Sequence, residues 1–224
     1  MQKIFLTTKD GIKIAASLYS AESPKGWIVF SHMMPAVKES WNDLAEWFCG
    51  AGYESVALDL RGHGESALDG LTRRLNYQKF SDAEHQKSIL DLEAAVDFLI
   101  KERKAAADKI SFIGASIGAN LSLQYISEHQ EFKTTVLLSP GLNYRGIKTE
   151  LLARNLKAGQ KVFFISSRDD RNTENNAEEN QKLYDLTPAG AEKKIQIYET
   201  GGHGTGILKT QPELANLIKD FISR

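Results

Sequence analysis

A serine stands between two glycines at one turn of the sequence. The stretch "GASIG" places Ser116 two residues from a glycine on either side, after an apolar run at 110–113 and before an apolar helical segment. Such a strand-to-helix turn either cradles a phosphate with backbone N–H groups or exposes a serine hydroxyl as a nucleophile. The dinucleotide-binding fingerprint has glycine where Ser116 stands, which favours the nucleophile. A structural turn with an incidental serine remains the alternative.

A nucleophilic serine needs a base and an acid. A neighbouring imidazole removes the hydroxyl proton, and a buried carboxylate holds that imidazole in the right tautomer. His203 follows the apolar segment 194–199, and Asp169 and Asp170 follow the apolar segment 161–167. The chain order serine, aspartate, histidine is that of nucleophile-elbow hydrolases. The alternatives are that the aspartates are solvated loop charges and that His203 is a turn residue.

The elements that must position these residues alternate along the chain. Short segments rich in Val, Ile and Phe predict strands at 26–32, 55–60, 109–114, 134–139, 161–167 and 194–199. Helical spacing is clearest at 83–103. The first 20 residues predict two further strands, joined as an antiparallel hairpin at Lys9-Asp10-Gly11.

Together, these elements predict an α/β protein. We expect a three-layer α/β/α sandwich with a mostly parallel eight-stranded sheet and an N-terminal antiparallel hairpin, in a single domain over residues 1–224. Since ligands bind at the carboxyl ends of parallel strands, Ser116, the aspartates and His203 are predicted to share one edge of the sheet.

The composition excludes several classes of function. The chain has 28 basic and 29 acidic side chains and a formal net charge of -1, so neither nucleic acid nor an anionic membrane is an expected partner. Its single cysteine, Cys49, can form neither an intramolecular disulfide nor a cysteine-rich metal cage, and is expected to pack in a helix. The sequence has no apolar leader and no run of 18 apolar residues. It therefore predicts a cytoplasmic protein that acts on a small molecule; the oligomeric state is left open.

Four stretches resemble the α/β-hydrolase superfamily, and in particular small serine carboxylesterases that lack a lid. They are 28–66, with its "RGHGES" loop, then 112–123, 164–170 and 201–208. The resemblance implies a catalytic triad of Ser116, Asp170 and His203. The family spacing of the acid favours Asp170 over Asp169.

The resemblance also implies an oxyanion hole made by two backbone N–H groups. One belongs to Ile117, the residue after the nucleophile. The other is assigned to Met34. Where the family usually has His-Gly, this chain has His32-Met33, and Met33 is the competing donor if the loop is shifted.

The remaining histidines do not indicate a metal site. His63, in "RGHGES", is expected to be a structural loop residue. His32, His85 and His129 have no partners at metal-ligand spacing. No metal and no organic cofactor are therefore expected.

The sequence also predicts an open site. Only 140–160 separate two predicted strands where larger relatives insert a cap, which suffices for one crossover helix and a short loop at 141–146. The segment 67–82 is the other candidate wall, and its larger apolar side chains either lean over the pocket or anchor the loop: Leu71, Leu75, Tyr77 and Phe80.

These observations lead to a functional prediction. We expect a serine hydrolase that cleaves small or short-acyl esters through an acyl-serine intermediate. The alternatives are another acyl hydrolase on the same triad, acting on thioesters, amides or peptides, and a non-catalytic ligand-binding protein of the same fold.

Overall fold

The computed structural model describes residues 1–67, 74–171 and 175–223. Its main feature is an eight-stranded sheet in the order β1-β2-β4-β3-β5-β6-β9-β10. The strands are β1 (Gln2–Thr7), β2 (Lys13–Tyr19), β3 (Trp27–Ser31), β4 (Glu54–Leu58), β5 (Ile110–Ala115), β6 (Thr134–Leu138), β9 (Lys161–Ser167) and β10 (Glu192–Tyr198). A separate two-stranded hairpin consists of β7 (Asn143–Tyr144) and β8 (Ile147–Lys148).

The strand directions match the prediction. β1 pairs antiparallel with β2, and β2 pairs antiparallel with β4. Every other pairing in the main sheet is parallel. The predicted α/β sandwich with an N-terminal antiparallel hairpin is thus confirmed.

Helices cover both faces of this sheet. They are α1 (Asn42–Gly50), α2 (Asp82–Gln86), α3 (Ile89–Lys101), α4 (Ile117–Glu128), α5 (Thr149–Asn155), α6 (Asn176–Leu186), α7 (Gly206–Thr210) and α8 (Leu214–Ile222). α3, α4, α5 and α6 contribute to one apolar core, and α1, α7 and α8 to the other. Successive side chains of β9 alternate between these cores: Phe163 packs in the second and Phe164 in the first.

One predicted helix is divided in two. The sequence indicates a helix over 83–103, whereas α2 ends at Gln86 and α3 begins at Ile89. Between them the amides of Ser88 and Asp91 bond to carbonyl oxygens three residues back, which tightens the turn and interrupts the α-helical ladder. The apolar spacing continues through this tight turn, so periodicity alone did not reveal it.

None of the helices in the described ranges is long and apolar enough to cross a membrane.

Candidate active site

Ser116 lies on a sharp turn at the carboxyl end of β5. It directly precedes α4 and has φ 54° and ψ -119°, in the region that favours glycine. Holding a serine there costs about 1–3 kcal/mol, which the surrounding contacts must offset. Its amide donates to Leu138 O at 2.9 Å, which extends the pairing of β5 with β6. The predicted sharp turn from strand to helix at Ser116 is therefore present.

The two flanking glycines are required by close packing. A Cβ atom on Gly114 would lie 2.2 Å from Gly118 O, and a Cβ atom on Gly118 would lie 2.2 Å from Ser31 O. Real Cβ atoms do not approach so closely, so only glycine lets β5, the start of α4 and the end of β3 meet. The glycines at two residues either side of Ser116 thus have a steric cause.

His203 and Asp170 form a short contact beside this turn. His203 Nδ1 lies 2.6 Å from Asp170 Oδ2, and the Asp170 side chain is fully buried. Because a carboxylate only accepts hydrogen bonds, the neutral imidazole carries its proton on Nδ1 and has Nε2 free as an acceptor. The imidazole is therefore arranged to act as a base.

Two serine side chains hold the histidine loop, which contains His203, against the sheet. β10 is the edge strand, separated from β5 by β9 and β6. Ser167 Oγ donates to Gly202 O at 2.5 Å, and Gly204 N donates to Ser139 Oγ at 2.9 Å. Since Ser139 directly follows β6, the second contact brings the loop towards the strand that carries Ser116.

Asp169 has a structural task in the same loop. Its Oδ1 accepts hydrogen bonds from the amides of Gly201 and Gly202, both at 2.9 Å. Those backbone donors, Gly202 first, lower the pKa of the Asp169 carboxyl below its usual value. The alternative of a merely solvated charge is therefore wrong for Asp169, although its side chain is exposed. The family spacing favoured Asp170 as the acid, but nothing in the sequence indicated this structural task of Asp169.

Tyr144 joins the serine to the histidine side of the site. Its hydroxyl lies close to the side chain of Ser116, which lowers the pKa of Tyr144 against the larger, raising effect of burial. Its ring meets the His203 ring edge-on, with centroids 6.3 Å apart. Tyr144 thus lies between Ser116 and the His203–Asp170 pair. The sequence indicated this residue only as part of a possible pocket wall.

The predicted oxyanion donors belong to two neighbouring segments. Ile117 is the first residue of α4, so its amide is among those without an intrahelical partner. Met34 lies in the loop after β3, and the contact of Gly118 with the Ser31 carbonyl places this loop against the start of α4. Assigning the two amides to an oxyanion hole remains a prediction.

His32 holds the backbone of that loop. Its Nδ1 lies 2.9 Å from Met33 O, and its Nε2 accepts from the amide of Leu60 at 3.0 Å. Complete burial lowers the pKa of His32 to about 4, so the ring is neutral and can make both contacts at pH 7. The Met33 side chain packs towards the histidine loop, since a Cβ atom on Gly204 would lie 2.6 Å from Met33 Sδ.

The other sequence candidates lie around the site rather than in the triad. His63 is buried, contacts Arg61 O through Nδ1 at 3.1 Å and stacks on Tyr77 at 3.8 Å. Phe80 packs edge-on against His85. Tyr77 and Phe80 are thus loop anchors, whereas Leu71 lies outside the described residues.

Within the described ranges, the His, Cys, Asp and Glu side chains form no group of three or more that could hold a metal ion.

Solved structures with this fold include two that match nearly the whole chain. DcsB, solved in complex with its substrate analogue, has a TM-score of 0.82 and 16% identity, with 99% of this chain and 97% of DcsB covered. The esterase Pf2001 of Pyrococcus furiosus has a TM-score of 0.79 and 18% identity, with 100% of this chain and 90% of the esterase covered. At these identities the likeness establishes the fold alone.

One curated relative is similar in sequence. The non-heme chloroperoxidase CPO-A1 of Kitasatospora aureofaciens is 27% identical over 137 residues, or 59% of this chain. The match spans 42% of that relative's length.

The family model described as "Serine aminopeptidase, S33" matches residues 22–163. This range contains β3, β5, the turn at Ser116 and the hairpin of Tyr144; Asp170 and His203 follow it. The match covers more than half of the chain and agrees with the sheet order and the elbow geometry. The chain therefore belongs to the serine aminopeptidase S33 family and is an α/β hydrolase.

Proposed function

We propose that this hydrolase is a serine carboxylesterase that cleaves small or short-acyl esters through an acyl-Ser116 intermediate. The observation that carries the proposal is the 2.6 Å contact between His203 Nδ1 and the buried Asp170, beside a serine on a strained turn. That contact leaves Nε2 as the proton acceptor that a serine nucleophile requires.

In the acylation step, His203 Nε2 takes the hydroxyl proton as Ser116 Oγ attacks the ester carbonyl carbon. Asp170 stabilises the imidazolium that forms and holds its orientation. The amides of Ile117 and Met34 donate to the oxyanion of the tetrahedral intermediate. The intermediate then expels the alcohol, which takes its proton from His203.

In the deacylation step, water replaces the alcohol. His203 takes a proton from this water, which attacks the acyl carbon, and the collapse of the second tetrahedral intermediate returns the proton to Ser116. The reaction needs no metal and no organic cofactor. A small-molecule partner and a cytoplasmic location remain predictions from the sequence.

Esters are favoured as substrates because similar structures include proteins named as esterases. The same triad also serves thioesters, amides and peptides. A single domain without a large cap would leave the acyl group in a short pocket beside β7, β8 and α5, which fill the interval between β6 and β9.

A second candidate function is that of an aminopeptidase. It is favoured by the half-buried carboxylate of Glu179, which lies near the site. The charge of Glu179 helps to raise the pKa of Tyr144, and burial, with the charge of Asp170, raises the pKa of Glu179 itself. A carboxylate beside a triad is suited to bind the free amino group of a peptide. Aminoacyl p-nitroanilides test this candidate: turnover above that of the matched N-acetylated compounds would favour it over the esterase.

The proposed function is tested with a fluorophosphonate probe and a p-nitrophenyl ester. The wild-type protein should be labelled at Ser116 and hydrolyse the ester, whereas a non-catalytic binding protein should do neither. Ser116→Ala and His203→Ala should each lower kcat by about 10³-fold or more, and the double variant by little more, because the triad acts as a unit. Ser127→Ala, on the same helix, is the control and should retain activity. Additive losses would contradict the shared mechanism.

A further inference from the structure

Tyr144 stands at a fixed place on the β7–β8 hairpin. Tyr144 pairs with Ile147 across a two-residue turn at Arg145 and Gly146, which have φ 53° and 79°. Positive φ at both central residues is the geometry that suits the twist of a tight hairpin. The turn therefore sets the pairing register, and with it the position of Tyr144.

The hairpin is tied to the helix that begins at the nucleophile. Asn120, on α4, donates to Gly141 O at 3.0 Å and Ile147 O at 3.1 Å, and accepts from Gly141 N at 3.1 Å. A Cβ atom on Gly141 would lie 2.5 Å from the Tyr144 ring, so glycine is needed for the ring to lie there. These contacts hold the tyrosine ring in place relative to Ser116.

The contact with Asn176 leaves the Tyr144 proton available for a second partner. Asn176 Nδ2 donates to the Tyr144 hydroxyl oxygen at 3.4 Å. The hydroxyl thus accepts from Asn176 and keeps its own proton to donate. Burial first, and then the charges of Asp170 and Glu179, raise the pKa of Tyr144, so this donor stays protonated at neutral pH.

The position of Tyr144 determines which substrate atom it can reach. In acyl transfer the leaving oxygen receives its proton from the imidazole, so it must lie close to both Ser116 Oγ and His203 Nε2. Tyr144 contacts Ser116 and lies edge-on to His203. Its hydroxyl is therefore on the side of the leaving group.

We propose that Tyr144 is a further catalytic residue, whose hydroxyl donates a hydrogen bond to the oxygen of the departing alcohol. This inference rests on the proposed esterase function. The hydrogen bond has a chemical cause: negative charge develops on the leaving oxygen, while Ser116 Oγ accepts hydrogen bonds only weakly once it has become an ester oxygen. The proton of Tyr144 stays on Tyr144 throughout, and His203 supplies the proton that the alcohol takes away.

The test compares two leaving groups with one acyl group. In Tyr144→Phe, which removes only the hydroxyl, kcat/KM for ethyl butyrate should fall about 10- to 100-fold, the loss typical of one transition-state donor. For p-nitrophenyl butyrate it should fall by less than about threefold, because p-nitrophenolate leaves without such help. Because kcat/KM for p-nitrophenyl esters reports the acylation step, deacylation does not obscure the comparison.

The matched control is Tyr53→Phe at the opposite end of the sheet. Tyr53 also shares a hydrogen bond with a serine hydroxyl, that of Ser223, at 2.8 Å. This control should keep the wild-type ratio of the two kcat/KM values. In Tyr144→Phe, the ratio of kcat/KM for ethyl butyrate to that for p-nitrophenyl butyrate should fall. An unchanged or higher ratio would overturn the role of Tyr144 while leaving the esterase function intact. A wild-type protein that is neither labelled by the fluorophosphonate nor active on p-nitrophenyl butyrate would instead refute the proposed function.

Discussion

At the scale of single residues, the two adjacent aspartates have different tasks. Asp170 faces the imidazole from a fully buried position, whereas Asp169 is exposed and holds two glycine amides of the histidine loop. The two carboxylates therefore point to different sides of the turn that follows β9. Asp170 is placed to stabilise a positive charge on the imidazole of His203, whereas Asp169 holds the backbone of the loop that contains His203.

This difference predicts distinct effects of asparagine. Asp170→Asn should lower kcat by up to about 10⁴-fold with the fold retained, because the amide no longer stabilises the imidazolium or its tautomer. Asp169→Asn keeps an oxygen acceptor for Gly201 and Gly202, so its effect should be mild. Steady-state kinetics on one ester measure both.

Asp169→Ala is the informative companion. It removes the acceptor, so the histidine loop loses two hydrogen bonds and activity should fall well below that of Asp169→Asn. If Asp169→Asn proved the more damaging of the two asparagine variants, the assignment of Asp170 as the acid would be wrong.

The sequence indicated candidates for the triad but not the residues that support them. Ser116, Asp170 and His203 were identifiable because each follows a predicted strand and has the right chemistry. Ser139 also follows a predicted strand, and that signal could have identified it as a support of the histidine loop. The contact of Tyr144 with Ser116 depends on a hairpin register and on the space at Gly141, which no spacing in the sequence encodes.

At the scale of elements, buried polar groups join the loop after β3 to the loop after β4. Asp59 accepts from the backbone amides of Lys38 and Glu65 and from Lys38 Nζ, at 2.8–2.9 Å. His32 and His63 contact each other edge-on between the same loops, with ring centroids 4.8 Å apart. The loop that contains Met34 therefore depends on neutral, closely packed histidines.

These histidines predict a loss of stability in acid. Burial, and then the neighbouring His32, lower the pKa of His63 to about 3, whereas the unfolded chain has a value near 6.5. Below pH 6.5 the unfolded state therefore binds a proton that the native state does not. The free energy of unfolding should fall as the pH decreases from 6.5, and His63 alone accounts for about 3 kcal/mol of this at pH 4.

His63→Asn isolates this effect. Asparagine keeps a donor towards Arg61 O and does not titrate. Urea unfolding at pH 7 and pH 4 should show about 3 kcal/mol less acid destabilisation in this variant than in the wild type. His129→Asn is the control, at a side chain that is 39% exposed, and should behave as the wild type. An unchanged pH dependence in His63→Asn would contradict the assignment.

At the scale of the whole molecule, the sheet order explains why residues far apart in sequence meet. Ser116, Asp170 and His203 follow β5, β9 and β10. These three strands lie with β6 in one half of the sheet, in the order β5-β6-β9-β10. All are parallel, so their carboxyl ends share one edge. A cleft of about 840 Å³ lies at the opposite edge, where Lys25 and Lys161 stand near strand starts. Lys161 donates there to Phe221 O on α8, so it has a structural use.

The interval between β6 and β9 determines how much of a substrate can be covered. It contains β7, β8 and α5, with seven residues in the helix, and little else. Each acyl CH₂ that is fully buried contributes about 0.8 kcal/mol, or about a fourfold gain, but only where an apolar wall surrounds it. The walls available here are short segments, at Met33-Met34 and at 142–144.

We therefore predict that the benefit of a longer acyl group ends early. Across a p-nitrophenyl ester series, kcat/KM should be highest at about two to four acyl carbons and should fall by about eight, because uncovered methylenes gain no transition-state stabilisation. Activity should not increase when the ester is presented as droplets, since that increase requires a lid that moves. Each ester is to be assayed below its solubility limit, so that aggregation of the longer esters does not change the apparent acyl-chain preference. A maximum at ten or more carbons would show that a deep apolar pocket exists, and the inference from the short interval between β6 and β9 would then be wrong.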